Sequence, residues 1–383
     1  MSARKLVFVI TEAWFFCSHF LVRAKAAQAD GFEVVVITRE DNAAEKIRKE
    51  NMRVVPLSLG RSAINPIAIV LEIFKLSAIY RREKPDVVHH IAMKPIIAGS
   101  AASYLAGIKR IVNAPVGMGF VFSSNSWKAR MLRPVFKALL KQVFHLKNSV
   151  IILENNDDRQ ELAAQGLAPK ESMVLIEGAG VDAQTFSVGE KNSTQPLIVL
   201  ASRMLYEKGI EHFVNAAQRI KAKGINARFI LVGAPDAGNP TSIPESQLTA
   251  WRQTGFVEWW GHSDEMARIL AAADIFCLPS YYREGLPKVL LEAAACGCAI
   301  VTTDAPGCRE IVVDGETGLL VPLHDQDRLI EALQKLILDP SLRLSLGTSA
   351  RKRVEEKFTD QVVVEKTLDV YRRLYSLSGS ASN

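Results

Sequence analysis

Arg203 and Lys208 stand five residues apart in the run Arg203-Met204-Leu205-Tyr206-Glu207-Lys208-Gly209, directly after an apolar stretch at 197–202 that reads as a buried strand. Two cations on one loop beyond a strand end can grip a diphosphate, the guanidinium by paired hydrogen bonds and the ammonium as a point charge. A solvated pair of loop charges fits the same residues, since cations are mostly exposed in any case. A second group adds to the first. Glu284, Gly285, Leu286, Pro287 and Lys288 lead from a strand-like run at 275–279 into a helical stretch at 289–295, and Glu292 follows eight residues after Glu284. Glycine permits a tight turn there, and proline suits a helix's first position. The helix start then offers amide N–H groups and a positive dipole end to an anion. Carboxylates accept hydrogen bonds from hydroxyl groups. Glu292 would read as an ordinary exposed helix residue but for Leu290, Leu291, Ala293, Ala294 and Ala295 around it, which mark a packed face. Cations, a helix N-terminus and two carboxylates together suit a ligand bearing both a diphosphate and sugar hydroxyls.

These groups need rigid strand ends to hold them. Apolar runs at 6–10, 33–38, 53–56, 86–90, 110–114, 149–153 and 173–176 alternate with helical stretches such as 67–83 and 99–106. The second half repeats the alternation with runs at 197–202, 228–232, 257–260, 275–279, 299–303 and 318–321. Such alternation predicts an α/β protein with parallel sheets covered by helices on both faces. The polar stretch at 187–196, SVGEKNSTQP, reads as a linker. The expected organisation is a Rossmann-like domain over 1–187, a second over 188–360, and a helix over 361–377 that crosses back to the first. Two doubly wound domains facing each other bind ligands at the carboxyl ends of their strands.

A length of 383 residues, with 48% hydrophobic and 23% charged side chains, fits an ordinary two-domain globular chain. Cys17, Cys277, Cys296, Cys298 and Cys308 form no CxxC pair, and no His or Cys cluster has zinc spacing. A disulfide framework and a structural metal are therefore not expected, and a reducing compartment fits better. Arg4 and Lys5 precede an apolar stretch, but Glu12 and His19 interrupt it and no small-residue cleavage site follows, so no leader is expected. No apolar run reaches the length of a membrane span. A cytoplasmic location is the expectation.

Charge is informative by position. The net charge is +6, yet residues 87 to 153 contain no Asp or Glu while carrying Lys94, Lys109, Arg110, Lys128, Arg130, Arg133, Lys137, Lys141 and Lys147. A one-signed surface attracts phosphates or anionic lipid. Nucleic acid is not expected, because aromatic residues do not interleave with the charges as a stacking platform needs.

The pattern Arg203, Lys208, Glu284 and Glu292 resembles the signature of retaining glycosyltransferase family 4, with the GT-B fold. Pro306-Gly307-Cys308-Arg309-Glu310 and Asp314-Gly315-Glu316-Thr317-Gly318-Leu319-Leu320 resemble the family's C-terminal pattern, so the likeness covers nearly the whole chain. It implies a metal-independent transfer with retained anomeric configuration, no cofactor, and a nucleotide-sugar, a UDP-sugar above all, as substrate. By the same likeness Arg203 and Lys208 hold the diphosphate, Glu292 the ribose, and Glu284 with the backbone of Gly285, Leu286, Pro287 and Lys288 the donor sugar. Glu284, Lys208 and Arg203 would then serve catalysis. Trp14-Phe15-Phe16-Cys17-Ser18-His19, His89-His90-Ile91-Ala92-Met93-Lys94-Pro95 and Gly117-Met118-Gly119-Phe120 resemble a bacterial branch. That branch includes capsule-assembly transferases and the undecaprenyl-diphospho-bacillosamine N-acetylgalactosaminyltransferase, which implies a lipid-diphosphate-linked saccharide acceptor. His19, His90, Lys94, Gly117 and Gly119 are the candidate acceptor residues. The family's histidine near position 93 is replaced here by Met93, and a structural role for His89 and His90 fits their place at a strand end equally well.

Residues 126–146 mix Trp127, Lys128, Arg130, Arg133, Lys137 and Lys141 with Leu, Val and Phe and contain no acid. They read as an interfacial amphipathic helix, with an interruption expected at Pro134, that attaches the protein peripherally to the inner face of an anionic membrane. A basic helix packed on its own domain is the plainer alternative. For the whole chain, a dinucleotide-dependent oxidoreductase would need a GxGxxG turn after the first strand, and residues 11–16 contain no glycine. A non-catalytic membrane scaffold would have no use for the four residues of the signature. A transferase acting on a small soluble acceptor also fits the chain.

Overall fold

The computed structural model describes residues 4–57, 66–117, 127–191, 195–236, 238–283 and 285–376. The chain packs as two units, one from its start to Ala179 together with the last helix, the other Gly180–Thr359. In the first unit the order is β1 (Arg4–Val9), α1 (Ala13–His19), α2 (Leu21–Ala29), β2 (Phe32–Thr38), α3 (Ala44–Lys49), β3 (Arg53–Pro56), α4 (Pro66–Glu83), β4 (Val87–Ile91), α5 (Met93–Ala106), β5 (Ile111–Ala114), α6 (Trp127–Phe144), β6 (Ser149–Leu153), α7 (Asn156–Ala164) and β7 (Met173–Leu175). The second unit runs β8 (Leu197–Ala201), α8 (Ile210–Ala222), β9 (Arg228–Val232), α9 (Glu245–Gln253), β10 (Glu258–Trp259), α10 (Met266–Ala272), β11 (Ile275–Leu278), α11 (Lys288–Ala295), β12 (Ala299–Thr303), α12 (Cys308–Ile311), β13 (Leu319–Val321), α13 (Gln326–Leu338) and α14 (Pro340–Lys357). The last helix is α15 (Asp360–Ser376).

Each unit is built on one parallel sheet. The first has the order β3-β2-β1-β4-β5-β6-β7 and the second β10-β9-β8-β11-β12-β13. The strands are near-continuous apolar runs, such as Val34 to Ile37 and Leu197 to Ala201, because helices cover both faces of the sheet. In both sheets the winding reverses beside the first strand, between β1 and β4 and between β8 and β11. Ligands of open α/β sheets bind outside the carboxyl ends of the strands at such a reversal.

One boundary differs from the sequence reading. The division falls between Ala179 and Gly180 instead of at 187, because Val181 is in the second unit's core and Phe186 packs against it. The last helix belongs to the first unit's core, where α15 sets Val363, Val370, Tyr371 and Leu374 among residues of β1, β2 and α2. Tyr371 Oη lies 2.7 Å from His89 Nδ1, and Arg372 bridges Asp30. Each fully buried large side chain of this kind contributes about 1.5–3 kcal/mol. Helix α6 runs unbroken through Pro134, contrary to the expected interruption. Pro134 is exposed, so the backbone carbonyl deprived of its helical partner can turn toward water.

Candidate functional site

In the second unit the loop from β8 carries Arg203 and Lys208, and the loop from the neighbouring strand β11 carries Ser280 and Tyr281. They are sewn together at Glu207, whose carbonyl oxygen accepts from Ser280 Oγ at 3.1 Å and from the Tyr281 N–H at 3.0 Å. Residues Tyr206–Lys208 form a single 3₁₀ turn, and Gly209 follows it with φ of 74° as the residue that starts α8. A Cβ at Gly209 would overlap the carbonyl oxygen of Pro279. Only glycine supplies both that backbone conformation and that close approach. The contact fixes Lys208 relative to the end of β11.

Arg203 is held from the other side. Its Nη1 donates to Asp236 Oδ2 at 2.8 Å, on the loop after β9, and the guanidinium stays about half exposed. Met204 reinforces the junction by donating to the Ala234 carbonyl at 3.0 Å and accepting from the Ile243 N–H at 2.8 Å. Three strand-end loops therefore converge around the two cations. Asp236 was not singled out from the sequence, although an acid in Gly233-Ala234-Pro235-Asp236 beyond a strand end is the kind of signal that could have found it.

Helix α11 begins after Pro287, with no side-chain cap at its N-terminus. Gly285, Leu286 and Pro287 are buried, so the turn into the helix is fixed by packing. Glu292 lies one turn in, 3.7 Å from the Lys288 ammonium at i, i+4. Burial pushes the Glu292 carboxyl above its ordinary range, and Lys288 opposes the shift. Glu284 lies outside the described residues. Next to the sewn loops, Tyr281 and His324 rings stand 4.5 Å apart by centroid, and His212 of α8 meets Tyr281 edge-on at 6.2 Å. Burial, then Glu207 and Glu211, pushes the Tyr281 hydroxyl up. No spacing in the sequence announces this cluster, because its members come from one helix and two distant loops. Among the described residues no three His, Cys, Asp or Glu side chains are grouped so as to hold a metal ion.

In the first unit the described acceptor candidates come from α1, β4, α5 and the segment after β5, and not all of them face outward. His19 ends α1 and stacks on Phe15 with 4.1 Å between centroids. His90 is fully buried in β4, with Nε2 at 3.0 Å from Tyr80 Oη and Nδ1 at 2.9 Å from Asn113 Oδ1. Burial depresses its pKa to about 4, opposed by Asn113, so a neutral imidazole ties β4 to α4 and β5. The structure makes His90 a core residue, and the acceptor role expected for it is withdrawn. Lys94, in the first turn of α5, is engaged by Glu72 of α4 at 2.9 Å. Gly117 closely follows β5, and Gly119 lies outside the described residues.

On α6, Arg130 and Lys141 are exposed and Arg133 and Lys137 half-exposed; Trp127 and Lys128 belong to the helix, but their side chains lie outside the described set. No helix among the described residues is long and apolar enough to cross a membrane.

Comparison with known proteins agrees with this architecture. Residues 182–353 match the family model "Glycosyl transferases group 1", and residues 5–151 match "Glycosyl transferase 4-like". The chain is 27% identical over 356 residues to N,N'-diacetylbacillosaminyl-diphospho-undecaprenol alpha-1,3-N-acetylgalactosaminyltransferase of Campylobacter jejuni, covering 89% of this chain and 91% of that one. It is 24% identical over 358 residues to UDP-Gal:alpha-D-GlcNAc-diphosphoundecaprenol alpha-1,3-galactosyltransferase of Escherichia coli, covering 89% of each. Among solved structures, sucrose-phosphate synthase from Thermosynechococcus elongatus superposes with a TM-score of 0.81 at 19% identity, over 98% of this chain and 100% of that one. Two parallel sheets in the order 3-2-1-4-5-6, one of them extended by a seventh strand, and family matches across both units identify the chain as a glycosyltransferase: it belongs to the group 1, family 4 glycosyltransferases of the GT-B fold.

Proposed function

We propose that this enzyme moves a sugar from a nucleotide-diphosphate donor, a UDP-sugar, onto a lipid-diphosphate-linked saccharide during bacterial glycan assembly, with retention and without a divalent metal. The observation that carries the donor half is the sewn loop pair, in which Glu207, Gly209 and Pro279 hold Lys208 at the strand reversal while Asp236 steadies Arg203. As the bond between the sugar and the diphosphate breaks, negative charge grows on the departing phosphate oxygens and positive charge on the sugar ring. Arg203, Lys208 and the N-terminus of α11 stabilise the departing group as preorganised charges, the task a divalent ion performs elsewhere. Glu292 accepts from the ribose hydroxyls and Glu284 from the donor sugar.

The acceptor half rests on the two relatives, whose names specify diphosphoundecaprenol-linked sugars. The basic stripe of α6 supports peripheral attachment to the cytoplasmic face of an anionic membrane, where such acceptors lie. A donor-hydrolysis screen across UDP- and GDP-sugars, followed by transfer to lipid-diphosphate saccharides, tests the reading. UDP-sugar turnover supports it, and turnover of GDP-sugars alone contradicts the donor. Sedimentation with anionic liposomes that fails at 1 M salt, where the Debye length is about 3 Å, is the outcome expected for attachment; binding indifferent to salt contradicts it.

A further inference from the structure

Helix α4 reverses the usual arrangement of a surface helix. Its inward face carries Glu72, Leu76, Tyr80 and Glu83 at i, i+4, i+8 and i+11, all buried, with Glu72 engaged by Lys94 and Glu83 by Arg53. Its outward face begins with Ile67, Val70, Leu71 and Phe74, each 50–71% exposed. A surface helix ordinarily turns its apolar stripe to the core and its charges to water. Single exposed apolar side chains are common, whereas a contiguous group marks a binding face. The group extends to the neighbouring helix: Arg81 donates to the Leu105 carbonyl at 2.9 Å, and Leu105 and Tyr104 of α5 are exposed as well.

The charges on α4 decide what fits that face. Lys75 follows Leu71 at i+4, Ala78 and Arg81 follow Phe74 at i+4 and i+7, and Arg82 follows Ala78 at i+4, and all of them are exposed. The cations therefore continue the apolar stripe on the same side of the helix, and Lys84 adds another exposed cation just beyond its end. Both carboxylates of α4 are buried and engaged, and α5 contains none. A second copy of this chain would bring the same cations and no carboxylate to pair them. An anionic bilayer supplies hydrocarbon for the apolar turns and phosphates for the cations, at about the affinity per cation known for such surfaces. Tyr104, apolar in its ring and polar at its tip, suits the level between the two.

We propose that the outward face of α4 enters an anionic phospholipid bilayer, with Val70, Leu71 and Phe74 among the acyl chains and Lys75, Arg81 and Arg82 at the phosphates. The proposal deepens the membrane-attachment reading above and rests on it, and it assigns the point of entry to α4 instead of the basic stripe of α6.

The test uses the full chain and vesicles of phosphatidylglycerol and phosphatidylcholine. Leu71→Cys carrying an environment-sensitive nitrobenzoxadiazole label should shift its emission to the blue when vesicles are added. The same label on Leu344→Cys, at an exposed position of the second unit, should not shift, and the labelled parent, whose Cys17 is half-buried, supplies the baseline. Phe74→Gln should lower vesicle binding about tenfold or more, the loss of one large side chain's burial, by the same factor at low and moderate salt. Arg81→Gln combined with Arg82→Gln should lower it about twentyfold at low salt, roughly fivefold for each cation, and by much less as salt rises. These side chains are exposed, so both variants should melt with the parent and transfer normally to a water-soluble short-chain acceptor. A parent that binds vesicles with no shift at Leu71, or a Phe74→Gln variant that binds as the parent does, would overturn the proposal alone. A blue shift in concentrated protein without vesicles, lost when Phe74→Gln is added, would overturn it by giving the face to a second copy. A parent that binds no vesicles would sink the attachment reading and the proposal with it. Insertion at α4 with no transfer to any lipid-diphosphate saccharide would uphold the proposal and sink the acceptor.

Discussion

Gly209 and Pro279, seventy positions apart in the sequence, approach so closely that a Cβ on the first would overlap the carbonyl oxygen of the second. Gly224 has the same φ of 74° but nothing within 4 Å of a Cβ. Gly209→Ala should therefore combine a left-handed backbone penalty with a backbone overlap, about 4 kcal/mol or more in all. Gly224→Ala should lose only the backbone penalty, about 1–2 kcal/mol. At roughly 2–4 °C per kcal/mol for a unit of this size, Gly209→Ala should melt at least about 5 °C below Gly224→Ala. Turnover should fall further in Gly209→Ala than its folded fraction explains, because Lys208 moves with the turn. Equal melting temperatures would remove the contact from the account.

Arg203→Ala and Lys208→Ala should each lower turnover about 10²-fold with little loss of stability, the usual effect of deleting one preorganised charge. Asp236→Asn leaves Arg203 in place but unsteadied. It should reduce turnover by a smaller factor, and its melting temperature should hardly move because exposed ion pairs contribute about 0–1 kcal/mol. Steady-state kinetics at saturating donor would show it. A loss in Asp236→Asn equal to that in Arg203→Ala would mean that Asp236 itself meets the ligand.

Glu292 couples binding to stability with opposite signs. Its folded-state pKa is raised by burial, so ionising it in the folded protein is unfavourable and stability is lost as pH rises through that value. Glu292→Gln should therefore melt higher than the parent at pH 7, and the difference should vanish below the ordinary carboxylate range. The same change should weaken UDP binding about tenfold or more, as expected for losing a hydrogen bond to a charged acceptor. Calorimetry with free UDP and melting curves across pH give both numbers. A variant that melts lower at pH 7 and binds UDP normally would contradict both roles.

His90 gives a pH signature that a freely exposed histidine lacks. Its pKa is depressed to about 4 in the folded chain, against about 6.5 for a free imidazole. Between those values the unfolded chain binds the extra proton, so stability should fall as pH drops from about 6.5 towards 4. His90→Gln should reduce that slope, with the buried His89 beside it, whose pKa is also depressed by burial, supplying the rest. His90→Ala should cost about 2–3 kcal/mol by removing the bonds to Tyr80 and Asn113 and leaving a cavity in the core, without a selective rise in acceptor KM. A selective KM effect in a fully stable His90→Ala would restore an acceptor role.

Much of the fold was legible because parallel strands buried on both faces are short apolar runs bounded by turns, and the runs at 53–56, 149–153, 228–232 and 299–303 coincide with β3, β6, β9 and β12. Helix α5 starts earlier than its expected 99 because Pro95 falls in the first turn, where backbone N–H groups have no helical partner. The Arg203 and Lys208 loop was visible from local spacing. Its supports were not, because Asp236, Ser280 and Pro279 reach it only through strand order. His90 shows the same limit: a histidine at a strand end looks functional until Tyr80, Asn113 and the burial of β4 are known. The end of the first unit was misplaced because 187–196 has linker composition, whereas the packing break is decided by Val181 and Phe186.

The central claim is tested most directly by one assay of sugar transfer from UDP-sugars to polyprenyl-diphosphate-linked saccharides in excess EDTA, with Lys208→Ala alongside the parent. The account predicts a product with retained anomeric configuration from the parent and about 10²-fold less from the variant. Product that forms only when manganese or magnesium is restored, or equal product from Lys208→Ala, would contradict it.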